Sequence, residues 1–241
     1  MYSGQNTYNP EKANACYEFL PSDSSRLYRK YSRVHDIDTS QLPQYNVDNW
    51  LNMNSPGYKP EIASAVFHYH ARAEKDDHLQ ICIQTKEMKQ ASWKYAHQNQ
   101  LILDGTFRIC NSQVLLFIVL GIDGEGKGVP LAFFMFSAPM GNRATQSEYD
   151  ILILKDLFKS WQDSLGSHNG SSFTPQVAIT DMDTKERGAL TIVWPDIWLI
   201  LCKFHVRQCW TNRRKKLLHM GRIPNFPKQQ VQARLRMLEE Q

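Results

Sequence analysis

Three short apolar runs each end in a residue that can bind a metal or move a proton. Leu101-Ile-Leu ends at Asp104, and Val177-Ala-Ile-Thr ends at Asp181. Leu199-Ile-Leu ends at Cys202, with His205 three positions further on. Short apolar runs of this kind read as strands buried on both faces. The carboxyl ends of such strands are where open α/β sheets place their chemistry. Two carboxylates on neighbouring strand ends can share hard divalent cations, which take a few carboxylates plus water and phosphate oxygens. Two such ions clamp the attacking and leaving oxygens of a phosphodiester. A lone strand-end Asp is more often a turn or cap residue. Two of them, separated by hairpin strands and a crossover helix, carry more weight.

Other residues compete for a chemical role. Cys202 and His205 make half of a zinc site, which usually needs four ligands; Cys209 is a third candidate, and no fourth is evident. The preferred reading is a buried small thiol and a hydrogen-bonded His that support the acids. Cys202 as a nucleophile with His205 as base lacks an oxyanion motif. His68, His70 and His78 have no partners at ligand spacing. The Gly-rich link Asp123–Gly128 precedes no helix, so it reads as a hairpin turn rather than a phosphate loop. Arg207, Arg213, Arg214, Lys215 and Lys216 crowd one segment around Trp210 and Asn212, and acids are absent between Asp196 and Glu239. Such a field suits a phosphate backbone. A solvated helix end, where cations favour the dipole, is the bland alternative. The DNA reading is preferred because the basic segment directly follows the strands that carry the acids.

The elements that would position these residues are an antiparallel meander, a crossover helix and two further strands. The strands 101–110, 114–122 and 129–137 form the meander. Thr145-Gln-Ser-Glu148 is a capping box, opening a helix to about Leu165 with Ile151, Leu152, Leu154, Leu157, Phe158 and Trp161 on its apolar face. A flexible link at 166–172 leads to strand 176–181, parallel to the first strand through that crossover. Asp183 reads as the N-cap of the next helix, with Glu186 as its capping partner, and Pro195 stops that helix. Strand 198–201 and a helix from Phe204 to about Met220 follow. Upstream, 79–85 alternates as a half-buried strand, 86–97 reads as a helix, and 60–70 fits either. The Pro-interrupted, Asn/Ser/Asp-rich start reads as loop, with a short helix near Pro10–Phe19. Arg26, Arg29, Lys30 and Arg33 there read as a solvated face.

This predicts an α/β fold in four segments. Residues 1–58 are a loosely ordered polar segment and 59–100 a small α+β lead-in. Residues 101–220 are the core, and 221–241 start a helical region. The net charge of +4 is mild. Five cysteines, an odd number without scaffold spacing, favour a reducing compartment. The first residues lack a signal peptide's basic start and apolar core. The longest apolar run, 114–122, is too short for a membrane span.

Several motifs in order make the stretch from Gln80 to Leu218 resemble a Mutator-like element (MULE) transposase, in a fungal flavour. They are Asp104-Gly-Thr-Phe, then Ile179-Thr-Asp181-Met-Asp183-Thr-Lys-Glu-Arg-Gly-Ala-Leu, Trp194-Pro, and Leu201-Cys202-Lys-Phe-His205. The resemblance implies an RNase H-like mixed sheet and a D-D-E triad, with Asp104 and Asp181 as the first two acids holding Mg²⁺ or Mn²⁺. It makes Cys202 and His205 the family's C-x-x-H signature, structural in role. It implies DNA strand cleavage and transfer, in which water and then a 3′-hydroxyl attacks a phosphodiester. The partners would be transposon ends and target DNA, the location the nucleus, and a homo-oligomer is left open. The third acid of that family lies beyond a long helical insertion, so this chain is expected to be a catalytic-domain fragment that binds DNA without cleaving or joining it. A non-catalytic, transposon-derived DNA- or protein-binding remnant is the leading alternative, and another RNase H-like nuclease the second.

Overall fold

Along Val114–Ile122 every second residue is buried, the two-residue period of a strand with one face on the core. The same period runs through its neighbours and organises the fold. In the computed structural model, residues 21–41, 43–71, 77–106, 114–137, 151–219 and 237 are described. Contacts divide the chain into two units, Met1–Pro60 and Glu61–Gln241.

The first unit holds helices α1 (Pro21–Val34) and α2 (Pro43–Leu51) where the sequence reads as loop. Pro21 and Pro43 open these helices instead of interrupting them. A proline at the first helical position gives up an N–H that has no partner there and fixes a helical φ. The turn between the helices is held by Asn46, whose side chain accepts from Asp38 N–H and donates to Asp38 O. The expected helix at Pro10–Phe19 lies outside the described residues. Helix α3 (Pro60–Ala65) leads into the second unit.

The second unit is built on one mixed sheet. Its strands are β1 (Val66–His70), β2 (Gln80–Ile83), β3 (Gln100–Thr106), β4 (Val114–Ile122), β5 (Gly128–Ser137), β8 (Val177–Thr180) and β9 (Trp198–Leu201). Their order across the sheet is β1-β2-β5-β4-β3-β8-β9. The meander β3–β4–β5 is antiparallel, and β8 and β9 are added parallel to β3, as the sequence predicts. Three antiparallel strands continued by two parallel ones are compatible with the RNase H-like fold. β1 and β2 extend the same sheet beyond β5. The stretch 60–70, ambiguous in sequence, is a helical turn followed by a strand.

One face of the sheet carries Leu101, Leu103, Leu115, Phe117, Val119, Phe134 and Ala178, all buried. Helix α5 (Ile151–Leu165) covers it with Leu154, Leu157, Phe158 and Trp161. Phe134 meets Phe158 and Trp161 edge-on at centroid distances of 5.5 and 6.1 Å. These are favourable aromatic geometries that add to the gain from burial. Helix α6 (Thr184–Val193) packs beside α5 and buries Glu186, Ala189 and Leu190. The capping box at 145–148 lies outside the described residues. Helix α4 (Lys86–Ala91), capped by Thr85, runs into a π-helical turn, Ser92–Ala96, before β3. The link at 166–172 is a small hairpin of β6 (Ser167–His168) and β7 (Ser171–Ser172). Its turn residues Asn169 and Gly170 both take positive φ, 51° and 78°, the signature of a type I′ turn. Helix α7 (Lys203–His219) ends the described core.

Candidate functional site

The sheet register decides where the acids fall. Parallel β3 and β8 pair Ile102 with Ile179, and β8 and β9 pair Ile179 with Ile200. Two residues further along each strand come Asp104, Asp181 and Cys202. A step of two keeps a side chain on the same face. Asp104 lies in β3, and Asp181 and Cys202 stand one residue past the ends of β8 and β9, so the three follow one another across the carboxyl ends of three neighbouring strands. Cys202 is anchored in that row by donating its N–H to Thr180 O at 2.7 Å.

His205 closes the row from above. It sits in the first turn of α7, and its Nε2 lies 3.7 Å from Asp104 Oδ1. That is ion-pair range for a protonated ring but too long for a hydrogen bond. Its other nitrogen, Nδ1, is buried with no hydrogen-bond partner. The C-x-x-H pair is thus brought to the first acid, although Cys202 and Asp104 are two strands apart. Cys209 is exposed, one turn further along α7.

Asp183 is the N-cap of α6, as the sequence predicts, accepting Lys185 N–H at 2.7 Å. The predicted partnership with Glu186 does not form. The N–H of Asp183 goes to Asp181 Oδ1 at 2.6 Å, which leaves nothing for Glu186 to cap. The Glu186 side chain turns inward instead. It is 1% exposed, and neither carboxylate oxygen has a hydrogen-bond partner. Burial, followed by the carboxylates of Asp181, Asp183 and Asp104, pushes its carboxyl up to about 9. Gly105, next to the first acid, makes room: a Cβ there would stand 3.2 Å from Glu186 Oε1 and 2.9 Å from Phe117 Cε1.

Sequence reasoning missed this residue, yet a signal existed. Glu186, Ala189, Leu190 and Val193 follow the spacing of one helix face. A glutamate on an otherwise apolar stripe is the kind of buried polar group that calls for an explanation.

The donor set is hard oxygen at the strand ends, which suits Mg²⁺ or Mn²⁺. The unpartnered carboxylate oxygens of Glu186 fit such an ion as well. Among the described residues, however, no three His, Cys, Asp or Glu side chains already stand in ligating geometry. A cation would have to draw the carboxylates together. His68, His70 and His78 are engaged elsewhere, with Gln80, Asp77 and Ser137 O.

The basic residues all lie on α7, and none of Arg207, Arg213, Arg214, Lys215 and Lys216 is buried. They do not form one face. At 3.6 residues per turn, Arg207 and Arg214 share one stripe, Arg213 and Lys216 share another, and Lys215 points a third way. No helix among the described residues is long and apolar enough to cross a membrane.

The mixed sheet, with two strand-end acids and a C-x-x-H pair beside them, is compatible with an RNase H-like domain that carries a candidate cation site. Residues 100–209 match the family model of the MULE transposase domain. That stretch is similar to the MULE transposase domain and contains Asp104, Asp181, Cys202 and His205. A search of curated proteins gives no match.

Proposed function

We propose that the chain is the catalytic part of a DDE-type DNA transposase that performs metal-dependent strand cleavage and transfer. One observation carries the reading: within the stretch matched by the transposase model, Asp104 and Asp181 each follow by two residues the paired Ile102 and Ile179 of adjacent parallel strands. Asp104 and Asp181 would hold Mg²⁺ or Mn²⁺. When bound, such an ion supplies charge neutralisation at the reacting phosphate and activation of the attacking hydroxyl. His205, beside Asp104 Oδ1, limits the directions that carboxylate can take and adds positive charge when protonated. The exposed cations of α7 would take the DNA backbone. Transposon ends and target DNA are the partners in this reading, and the nucleus is the place of action.

The test is a strand-cleavage and strand-transfer assay with purified chain, Mn²⁺ and DNA carrying the element's ends. Turnover lost in both Asp104→Asn and Asp181→Asn supports the proposal. DNA binding without turnover, in wild type and variants alike, fits the fragment without its third acid or a non-catalytic remnant, and overturns catalysis by this chain alone. Turnover that survives both substitutions points to a contaminating nuclease.

A further inference from the structure

We propose that His97 is a proton-operated latch: neutral, it holds the β6–β7 hairpin and Thr174 against the π-helical turn, and protonated it releases them. One hydrogen bond carries the proposal. Thr174 donates its N–H to His97 Nδ1 at 3.2 Å. A ring nitrogen that accepts holds no hydrogen, so the latched ring is neutral with its hydrogen on Nε2. A proton on Nδ1 would set two donors face to face, and the bond would break. The backbone is shaped for this contact. His97 follows directly on the turn Ser92–Ala96, and its own N–H closes that turn on Ser92 O at 3.1 Å. π-helical turns are rare and gather at functional positions. Gln98 takes a positive φ of 52°, which a residue with a Cβ keeps only where its surroundings hold it. Its N–H reaches Thr174 O at 2.8 Å. Thr174 is thus held through both backbone groups, by one bond that does not titrate and one that does.

The rings supply the second half of the latch. Trp93, half-buried in the same turn, lies at centroid distances of 4.7 Å from His97 and 5.3 Å from His168, which stands on the hairpin. Two histidines therefore share one tryptophan across the joint. The Trp93 face would favour a cation, but the two imidazoles disfavour each other once charged. Burial, and after it the charge of His168, hold His97 below its ordinary 6.5. His168 is the one titratable side chain of the hairpin, and Phe173 and Thr174 bring none. Lys94, on the turn itself, lies over the Tyr95 ring. Phe173 stays anchored when the latch opens. It is fully buried, its ring lies 5.0 Å from Trp161, and its carbonyl accepts from Trp194 Nε1 at 3.1 Å. The hinges are therefore Phe173 and Gly166, which takes a φ of 70° just past α5. Residues 167–172 between them are exposed, and their release uncovers Trp93. The open ring takes a proton with its ordinary affinity and the latched ring takes it more weakly. Closure is therefore complete above 6.5 and is lost as pH falls below it.

The experiment follows amide hydrogen exchange and histidine ring ¹⁵N shifts of the full chain from about pH 8 to about pH 5, the range in which imidazoles titrate. The Thr174 amide should be protected at the upper end. Corrected for intrinsic exchange, its protection should fall by up to roughly tenfold per pH unit below 6.5, while the amides of β4 keep theirs. His97→Phe keeps a ring against Trp93 but offers no acceptor, and should leave Thr174 weakly protected at every pH. His168→Phe should keep the latch and move its release to higher pH. Thr174 protection that ignores pH, or that keeps the wild-type profile in His97→Phe, overturns the proposal. So does a simultaneous loss in β4, which is acid unfolding of the whole unit. Should His97→Phe fail to fold, the wild-type ring still decides. Its Nδ1 must show the shift of an unprotonated nitrogen at the upper end, and its titration must coincide with the loss of Thr174 protection. A neutral ring with its hydrogen on Nδ1, or a titration separate from that loss, overturns the latch.

Discussion

Oε1 of Glu186 lies 3.2 Å from where a Cβ would stand on Gly105, and Cε1 of Phe117 lies closer still, at 2.9 Å. Phe117 is fully buried and its ring stacks on Phe136 at a centroid distance of 5.6 Å, so it has little room to yield. Gly105→Ala should therefore lower stability by about 1–3 kcal/mol, the usual cost of overpacking a core. Thermal melts of Gly105→Ala, Phe117→Leu and the double variant check this. The smaller side chain at 117 should relieve much of the alanine's penalty. An unchanged melting temperature in Gly105→Ala would remove the steric account of this glycine.

The buried carboxyl gives the metal-free chain a defined pH response. Glu186 has an ordinary value of 4.5 and is held at about 9 in the folded protein. Between those values the folded state keeps a proton that the unfolded state has released. Stability is therefore greatest below the lower value and falls as pH rises through the window, by at most about 1.4 kcal/mol per pH unit from this group. Denaturant melts in a chelator from pH 5 to 9 should show the decline, and Glu186→Gln should flatten it. A wild-type curve that rises over the same range contradicts the sign.

Asp183 offers a test of the helix start that is separate from the site. Removing its side chain in Asp183→Ala strips the cap from Lys185 N–H and should cost about 1 kcal/mol. Asp183→Asn keeps the cap and removes a charge that presses on Glu186. With Glu186 protonated at neutral pH it should keep most of the stability that Asp183→Ala loses. If both variants melt alike, the cap contributes nothing measurable.

The arrangement of α7 bounds its electrostatic reach. Because its cations wrap the helix, a single DNA backbone cannot meet Arg213, Arg214, Lys215 and Lys216 together. Replacing all four with Ala should lower the slope of log K against log salt by about 1.8, the value for two phosphate contacts, and not by the ~3.6 expected for four. Duplex-binding titrations at several salt concentrations measure it. An unchanged slope assigns the helix to solvent.

The parts of the fold legible in the sequence were those set by local period. The alternation along Val114–Ile122 and the apolar runs before Asp104 and Asp181 identify strands before any tertiary contact is known. The crossover between them then makes the pairing parallel. Helices α1 and α2 were not legible because proline was read as a breaker, when Pro21 and Pro43 stand at the one helical position that tolerates it. Glu186 was misread for a different reason. Its spacing from Asp183 is that of a capping partner, but Asp181, two residues before Asp183, takes the hydrogen that it would have accepted. The row of Asp104, Asp181 and Cys202 is a property of register across three strands, which no single segment contains.

The position of β8 has a consequence for the order in which the molecule is made. β3, β4 and β5 pair through short connections, and such local closures are fast. They can form while the rest of the chain is still emerging. The pairing of β3 with β8 closes a much longer loop and requires the crossover segment with α5 to be in place. Until that closure, Asp104 stands alone at the edge of a three-stranded meander, with no second acid beside it. A nascent or prematurely ended chain would thus carry the meander with the first aspartate in place and the second not yet beside it.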